Sequence, residues 1–132
     1  MLRLEIVTPE RRVLDAEVDS VTVPTASGEA GIMPNHAPLV SVLRPGVLTY
    51  AARGASERLA VSGGFVEVNS DKIAVLVDMA EAAGEIDIEQ ARADRDAAEK
   101  NLTSAALASA EDTEPMREAA DHAAARLRVA ER

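Results

Sequence analysis

Turn-forming residues stop at Gly84. All seven glycines lie at or before that position, together with five of the six prolines, whereas residues 85–132 contain no glycine and only Pro115. Glycine and proline supply the backbone angles that tight reversals need, and both oppose the interior of a helix. One chain therefore carries two architectures: a turn-rich segment, 1–84, and a segment suited to long helices, 85–132.

In the first segment, runs of strand length alternate with turn chemistry. LRLEIV places Leu2, Leu4 and Ile6 on one face, and Pro9 to Arg12 read as a turn. Val21 to Val23, Leu39 to Leu43, Val47 to Tyr50, Arg58 to Ser62, Phe65 to Val68 and Ile73 to Val77 are further β-rich runs, separated by SGEAG, RPG, RGAS, SGG and NSDK. Many short strands at such spacing predict a β-sandwich or barrel. With one Tyr and one Phe in 132 residues, its core must be aliphatic.

The second segment holds 14 alanines in 48 residues, and most other positions are long charged side chains, a strongly helix-forming composition. Asp87 is a candidate N-cap, with Gln90 three residues on as in a capping box. Proline is tolerated in a first helical turn, so SAEDTEP is expected to connect two helices, the second running from about Glu114 to Arg132. The apolar faces are thin: Ile88, Ala91, Ala98, Leu102 and Ala105 on the first helix, Met116, Ala120, Ala123, Leu127 and Ala130 on the second. At roughly 25 cal/mol per Å² of apolar surface, an alanine seam holds far less firmly than one of Leu and Ile. A weakly docked antiparallel hairpin is expected, able to rearrange; straightened, its 45 or so residues would reach about 65 Å at a rise of about 1.5 Å each.

Several functions are excluded. With no cysteine there is neither a disulfide framework nor a thiolate metal site. No run of about 18 apolar residues exists to insert directly into a membrane, and the amino terminus does not read as an export signal. A net charge of −9 disfavours nucleic acid and anionic lipid as partners. His36 has no clustered nucleophile or ligand beside it, and VSGG at Ser62 lacks the G-x-S-x-G elbow of a hydrolase.

The stretch TASGEAGIMPNHAPLVSVLRPGVL, residues 25–48, resembles the signature of the epsilon subunit of bacterial F-type ATP synthases, G-E-x-G-I-x-P-x-H-A-P-L followed by a P-G turn; Gly28, Glu29, Gly31, Ile32, Pro34, His36, Ala37, Pro38, Leu39, Pro45 and Gly46 fall in place. VSGGFVEVNSDKIAVLVDMAE, EIVTPERRVLDAEV and the closing RLRVAER support it, so the resemblance spans the chain. It implies an α+β protein, an N-terminal β-sandwich (1–84) bound to the gamma subunit and c-ring, then a helical hairpin (85–132) that folds against the sandwich or extends into the alpha/beta catalytic head. The implied role is that of a non-catalytic rotor subunit of the proton-translocating enzyme, peripheral on the cytoplasmic face of the bacterial membrane, with the hairpin restraining hydrolysis.

The resemblance assigns contact with the c-ring and gamma to Glu29, Gly31, Ile32 and His36, and contact with the catalytic head to Arg126, Arg128 and Arg132. It also points to a regulatory ATP site at Ile86, Asp87, Ala91 and Arg126, in the pattern I/L-D-x-x-R-A. Here the pattern reads IDIEQA: Gln90 replaces the motif arginine, and His122 stands where ATP-binding members carry another. Two largely neutral groups cannot replace two fixed charges against a triphosphate. No tightly bound cofactor is therefore expected. The alternative from another class is a stand-alone nucleotide-binding sensor, which tight ATP binding by the free chain would distinguish.

Overall fold

A computed structural model describes residues 1–105 and 110–131. Ten strands form the first part: β1 (Leu2–Val7), β2 (Arg12–Val18), β3 (Ser20–Thr25), β4 (Gly28–Ile32), β5 (Leu39–Leu43), β6 (Gly46–Ala52), β7 (Ala55–Val61), β8 (Gly64–Asn69), β9 (Lys72–Val77) and β10 (Ala80–Ala82). A single 3-10 turn, Ala83–Glu85, leads into α1 (Ile88–Ser104) and α2 (Ala110–Ala130). The strands hydrogen-bond in the order β10-β7-β6-β3-β5-β8-β9-β1-β2, with β4 on the other edge of β3. Only one residue pair, Thr25 with Leu43, joins β3 to β5. The sheet bends there into two layers, and the corner is secured by Ala26 N–H donating to the Val42 carbonyl (3.0 Å) and Arg44 N–H to that of Pro24 (2.8 Å).

Alternation supplies the core between the layers. Leu2, Leu4 and Ile6 of β1, Val21 and Val23 of β3, Val66 and Val68 of β8 and Ile73 and Val75 of β9 are buried together. Period-two burial follows from the opposite facing of successive strand residues. The core is aliphatic, as expected: Phe65 is 56% exposed on an outer face, and Tyr50 packs only partly against the interior.

In the strands, the expectations for SGEAG and for the turn after β1 need correction. SGEAG is not a turn as a whole: Gly28–Ile32 is strand β4, paired with β3 from Thr25–Gly28 to Val21–Ile32, and only Ala26 and Ser27 reverse the chain. Gly28, at φ 118°, makes the sharp entry, and the edge of β3 satisfies the backbone of a segment with little strand propensity of its own. The turn after β1 ends sooner than expected, because Arg12 already opens β2 opposite Val7.

The hairpin turns at Arg53–Gly54 and Ser70–Asp71 each place two consecutive residues at positive φ, 54° and 79°, then 51° and 62°. Such two-residue loops match the twist of the flanking strands. The second does so without glycine. Ser70→Gly is expected to stabilise the chain by about 0.5–1 kcal/mol, since the αL strain outweighs the added freedom of the unfolded state. Thermal unfolding would show it as a rise in Tm; a fall would mean that the Ser70 side chain contributes more than its backbone strain costs.

Asp87 caps α1 as expected, its Oδ1 accepting from Gln90 N–H at 3.1 Å. The Gln90 side chain does not complete a capping box and instead donates to Asp94 Oδ1 at 2.9 Å. The second helix starts earlier than Glu114: Ala110–Glu114 are helical and Pro115 lies inside α2. One proline costs about 3 kcal/mol in a helix interior.

α2 lies on β6 and β7, whereas α1 packs on α2. Ala123, Ala125, Leu127 and Val129 of α2 are all buried. Residues two apart on a helix point about 200° from each other, so Ala123 and Leu127 occupy one face and Ala125 and Val129 the other. A helix covered on both sides needs this pattern. Ala125, Leu127 and Val129 join Ala60, Ile86 and Ala91 in a small second core between sandwich and hairpin.

Candidate functional site

Three elements meet at Arg126 of α2. Its guanidinium forks onto Glu81 of β10, Nε to Oε1 at 2.9 Å and Nη2 to Oε2 at 3.4 Å, while Nη1 donates to Asp94 Oδ2 of α1 at 3.2 Å. The Arg126 side chain is only 14% exposed, so solvent screens these charges less than it would a surface pair. Further links hold the hairpin down: Arg44 to Asp121 (3.5 Å), Arg11 to Glu85 (2.8 Å), and Arg58 of β7 donating to the Arg128 carbonyl near the end of α2. Arg92 of α1 reaches Glu131 at 3.1 Å and ties the hairpin's open ends together.

One turn before Arg126, His122 lines a cleft of about 470 Å³ between α1 and α2, with Asp94, Asn101, Met116 and Ala123. Its Nε2 is shielded from water and has no hydrogen-bond partner among the described residues. Burial, and then the Arg126 guanidinium, push the imidazole below its ordinary pKa; Glu81 and Asp94 act in the opposite sense.

The residues of the ATP pattern come to the base of this hairpin but have structural partners. Ile86 is buried in the second core, and Ala91 is buried against the same residues. Asp87 caps α1, and Arg126 is matched by two carboxylates. Of the other arginines expected to meet a catalytic head, Arg128 is exposed on α2 and Arg132 lies outside the described residues. Glu29 and Gly31 are exposed on the β4 edge, while Ile32 on the same strand is fully buried and anchors it. His36 is exposed in the loop after β4, where its N–H donates to the Met33 carbonyl at 3.2 Å and its Nδ1 lies 2.7 Å from the Ala37 carbonyl. Asn35 N–H, beside it, donates to Asp71 Oδ1 at 2.7 Å, tying the loop to the β8–β9 turn.

A further surface was not anticipated. Val42 of β5, Phe65 of β8, Leu76 of β9 and Val7 of β1 stand side by side in strand register. The first three are 51%, 56% and 50% exposed, and Val40 beside them is 72% exposed. A solvated sheet face normally carries polar residues at these positions; LVSVL, with apolar residues at both parities, held the available signal. Below the row a shallow pocket of about 400 Å³ opens between Thr8, Pro9, Gly63, Phe65 and Leu76.

The sandwich bares an apolar row on one sheet face and carries a helical hairpin on another, and among the described residues no His, Asp and Glu cluster is placed to hold a metal. Residues 1–83 match the family described as the ATP synthase Delta/Epsilon chain, beta-sandwich domain. Over 102 residues the chain is 50% identical to the ATP synthase epsilon chain of Desulforamulus reducens, covering 77% of each, and 51% identical to that of Moorella thermoacetica, covering 76% of each. The fold matches a chain in the cryo-EM structure of Euglena gracilis mitochondrial ATP synthase, OSCP/F1/c-ring, with a TM-score of 0.80 at 24% identity over 99% of this chain and 81% of that one. A chain of the Tetrahymena thermophila mitochondrial ATP synthase central stalk and c-ring matches with a TM-score of 0.56 at 18% identity, over 98% and 93%. The chain belongs to the ATP synthase epsilon chain family, whose members are non-catalytic subunits of the central stalk.

Proposed function

We propose that this subunit couples the catalytic head to the c-ring of a proton-translocating ATP synthase on the cytoplasmic face of the membrane, and that its hairpin restrains ATP hydrolysis. The observation that carries the reading is the in-register apolar row of Val42, Phe65 and Leu76 on an open sheet face. Contiguous exposed apolar surface of this kind marks a protein–protein joint, and the gamma subunit is its partner here. The β4 edge with Glu29 and Gly31, and the loop bearing His36, meet the polar loops of the c-ring. On release, α2 presents Arg126 and Arg128, with Arg132 beyond, to an acidic segment of the alpha/beta head.

The reading includes no tight ATP site, because the one motif cation retained, Arg126, is already matched by Glu81 and Asp94. That weighs against the stand-alone nucleotide sensor.

The test is to add the full chain to an ATP synthase of a close relative stripped of its own epsilon chain, and to follow binding and hydrolysis together. Binding with slowed hydrolysis is expected. Phe65→Asp should weaken binding about 30-fold or more, the loss of an aromatic anchor at an interface costing about 2 kcal/mol or more, while leaving the hairpin docked. If the unaltered chain does not bind, the rotor reading fails; if Phe65→Asp binds equally well, gamma does not sit on this face.

A further inference from the structure

We propose that His122 makes the docked hairpin sensitive to acid, so that protonation within its cleft favours release of α1 and α2 from the sandwich. The inference concerns the regulation of the hairpin, and rests on the reading above only for the consequence that release slows hydrolysis.

The shielded side of the ring accepts a neutral imidazole and, among the described residues, offers a charged one no acceptor. Nε2 is shielded and has no partner among the described residues; in the imidazolium both ring nitrogens carry a proton, so it would be a cationic N–H without an acceptor, which is costly where water is excluded. The charged groups facing it are Arg126 on its own helix, Asp94 from α1 and Glu81 from β10. Arg126, four residues on and so on the same face of α2, repels a second positive charge. Glu81 and Asp94 attract one, yet each of their four carboxylate oxygens already accepts a hydrogen bond: three from Arg126, and Asp94 Oδ1 from Gln90. A protonated His122 would compete with Arg126 for the bonds that hold the hairpin down.

The direction follows from linkage. Burial and Arg126 lower the imidazole pKa in the docked state, whereas in the released hairpin the ring meets water and titrates near its ordinary value of about 6.5. The contribution to docking is full above that value and is lost as the pH falls through it toward the lower docked value. Within that window the docking equilibrium can change by up to about tenfold per pH unit, the limit for one proton.

The chain has no cysteine, so Lys100→Cys on α1 and Glu57→Cys on β7, both at exposed positions, allow two dyes to report hairpin position in the full chain between pH 8 and 5.5. Energy transfer is expected to fall as the pH drops below about 6.5, to stay flat with His122→Gln, and to be low even at pH 8 with His122→Lys, which fixes a charge in the cleft. A wild-type chain that does not respond, or a His122→Gln chain that responds equally, overturns the proposal. Hydrolysis by the reconstituted complex, measured over the same range, separates the two readings: acid release that leaves hydrolysis untouched defeats the brake but not the His122 mechanism, and slowed hydrolysis without acid release does the reverse.

Discussion

Gly64→Ala is expected to destabilise the sandwich by about 3–5 kcal/mol, a large share of the roughly 5–15 kcal/mol that holds a domain of this kind together. A Cβ at position 64 would sit 2.0 Å from the Leu76 carbonyl oxygen and 2.9 Å from Val77 Cγ1. The first neighbour is backbone and cannot rotate aside, so β8 and β9 would have to part where Gly64 pairs with Val77. That pairing also supports Phe65 and Leu76 in the apolar row, so the variant should lose partner binding along with stability. Gly31→Ala is the internal control: its added Cβ meets nothing within 4 Å, and its cost should stay within about 0.5 kcal/mol. Urea unfolding of the two variants checks this, and a cost below about 1 kcal/mol for Gly64→Ala would mean that the two strands yield more easily than their register suggests.

Arg126→Ala should release the hairpin while the sandwich stays folded. The substitution leaves Glu81 and Asp94 without the cation that joined them across the interface. Removing one partner of a buried pair costs about 3–5 kcal/mol, and with Glu81 and Asp94 partly open to water about 2–3 kcal/mol is the appropriate expectation. The small second core, built largely of Ala60, Ala91 and Ala125 with Leu127 and Val129, has little in reserve against such a loss. Hydrogen exchange should show protection falling throughout α1 and α2 and unchanged in β1, β8 and β9. Retained protection in α2 would mean that Arg58, Arg44 and the apolar seam suffice. Glu81→Gln separates the two roles of Arg126, loosening the latch while leaving its charge available to a partner.

The partition at Gly84 and the alternation of Leu2, Leu4 and Ile6 make both architectures and much of the strand layout legible in the sequence, because they depend only on local backbone chemistry. β4 is different in kind. GEAG has no strand character of its own, and the open edge of β3 imposes it. Pro115 misleads similarly: the local rule that it starts a helix gives way to a helix that runs through it. Ala125 and Val129 fall outside the single apolar face read from the sequence because α2 is covered on two sides. At the candidate sites, Phe65 reads as a strand residue, but which way it points depends on register with Val42 and Leu76. The Arg126 latch joins residues 45 and 32 positions apart, a pairing no periodicity can reveal. Glu29 and His36 were legible only through the family signature, since their hydrogen bonds and exposure do not distinguish them from ordinary loop residues.

Because α1 reaches the sandwich chiefly through α2, the hairpin is attached as two joints in series. A load applied to α1 is borne first by the seam between the helices, where Ala91, Ala98 and Ala123 offer little grip, and only then by the contact of Ala125 and Val129 with the sheet. Elements in series part at the weaker joint. Loosening is therefore expected to begin with α1 swinging away while α2 stays seated on β6 and β7.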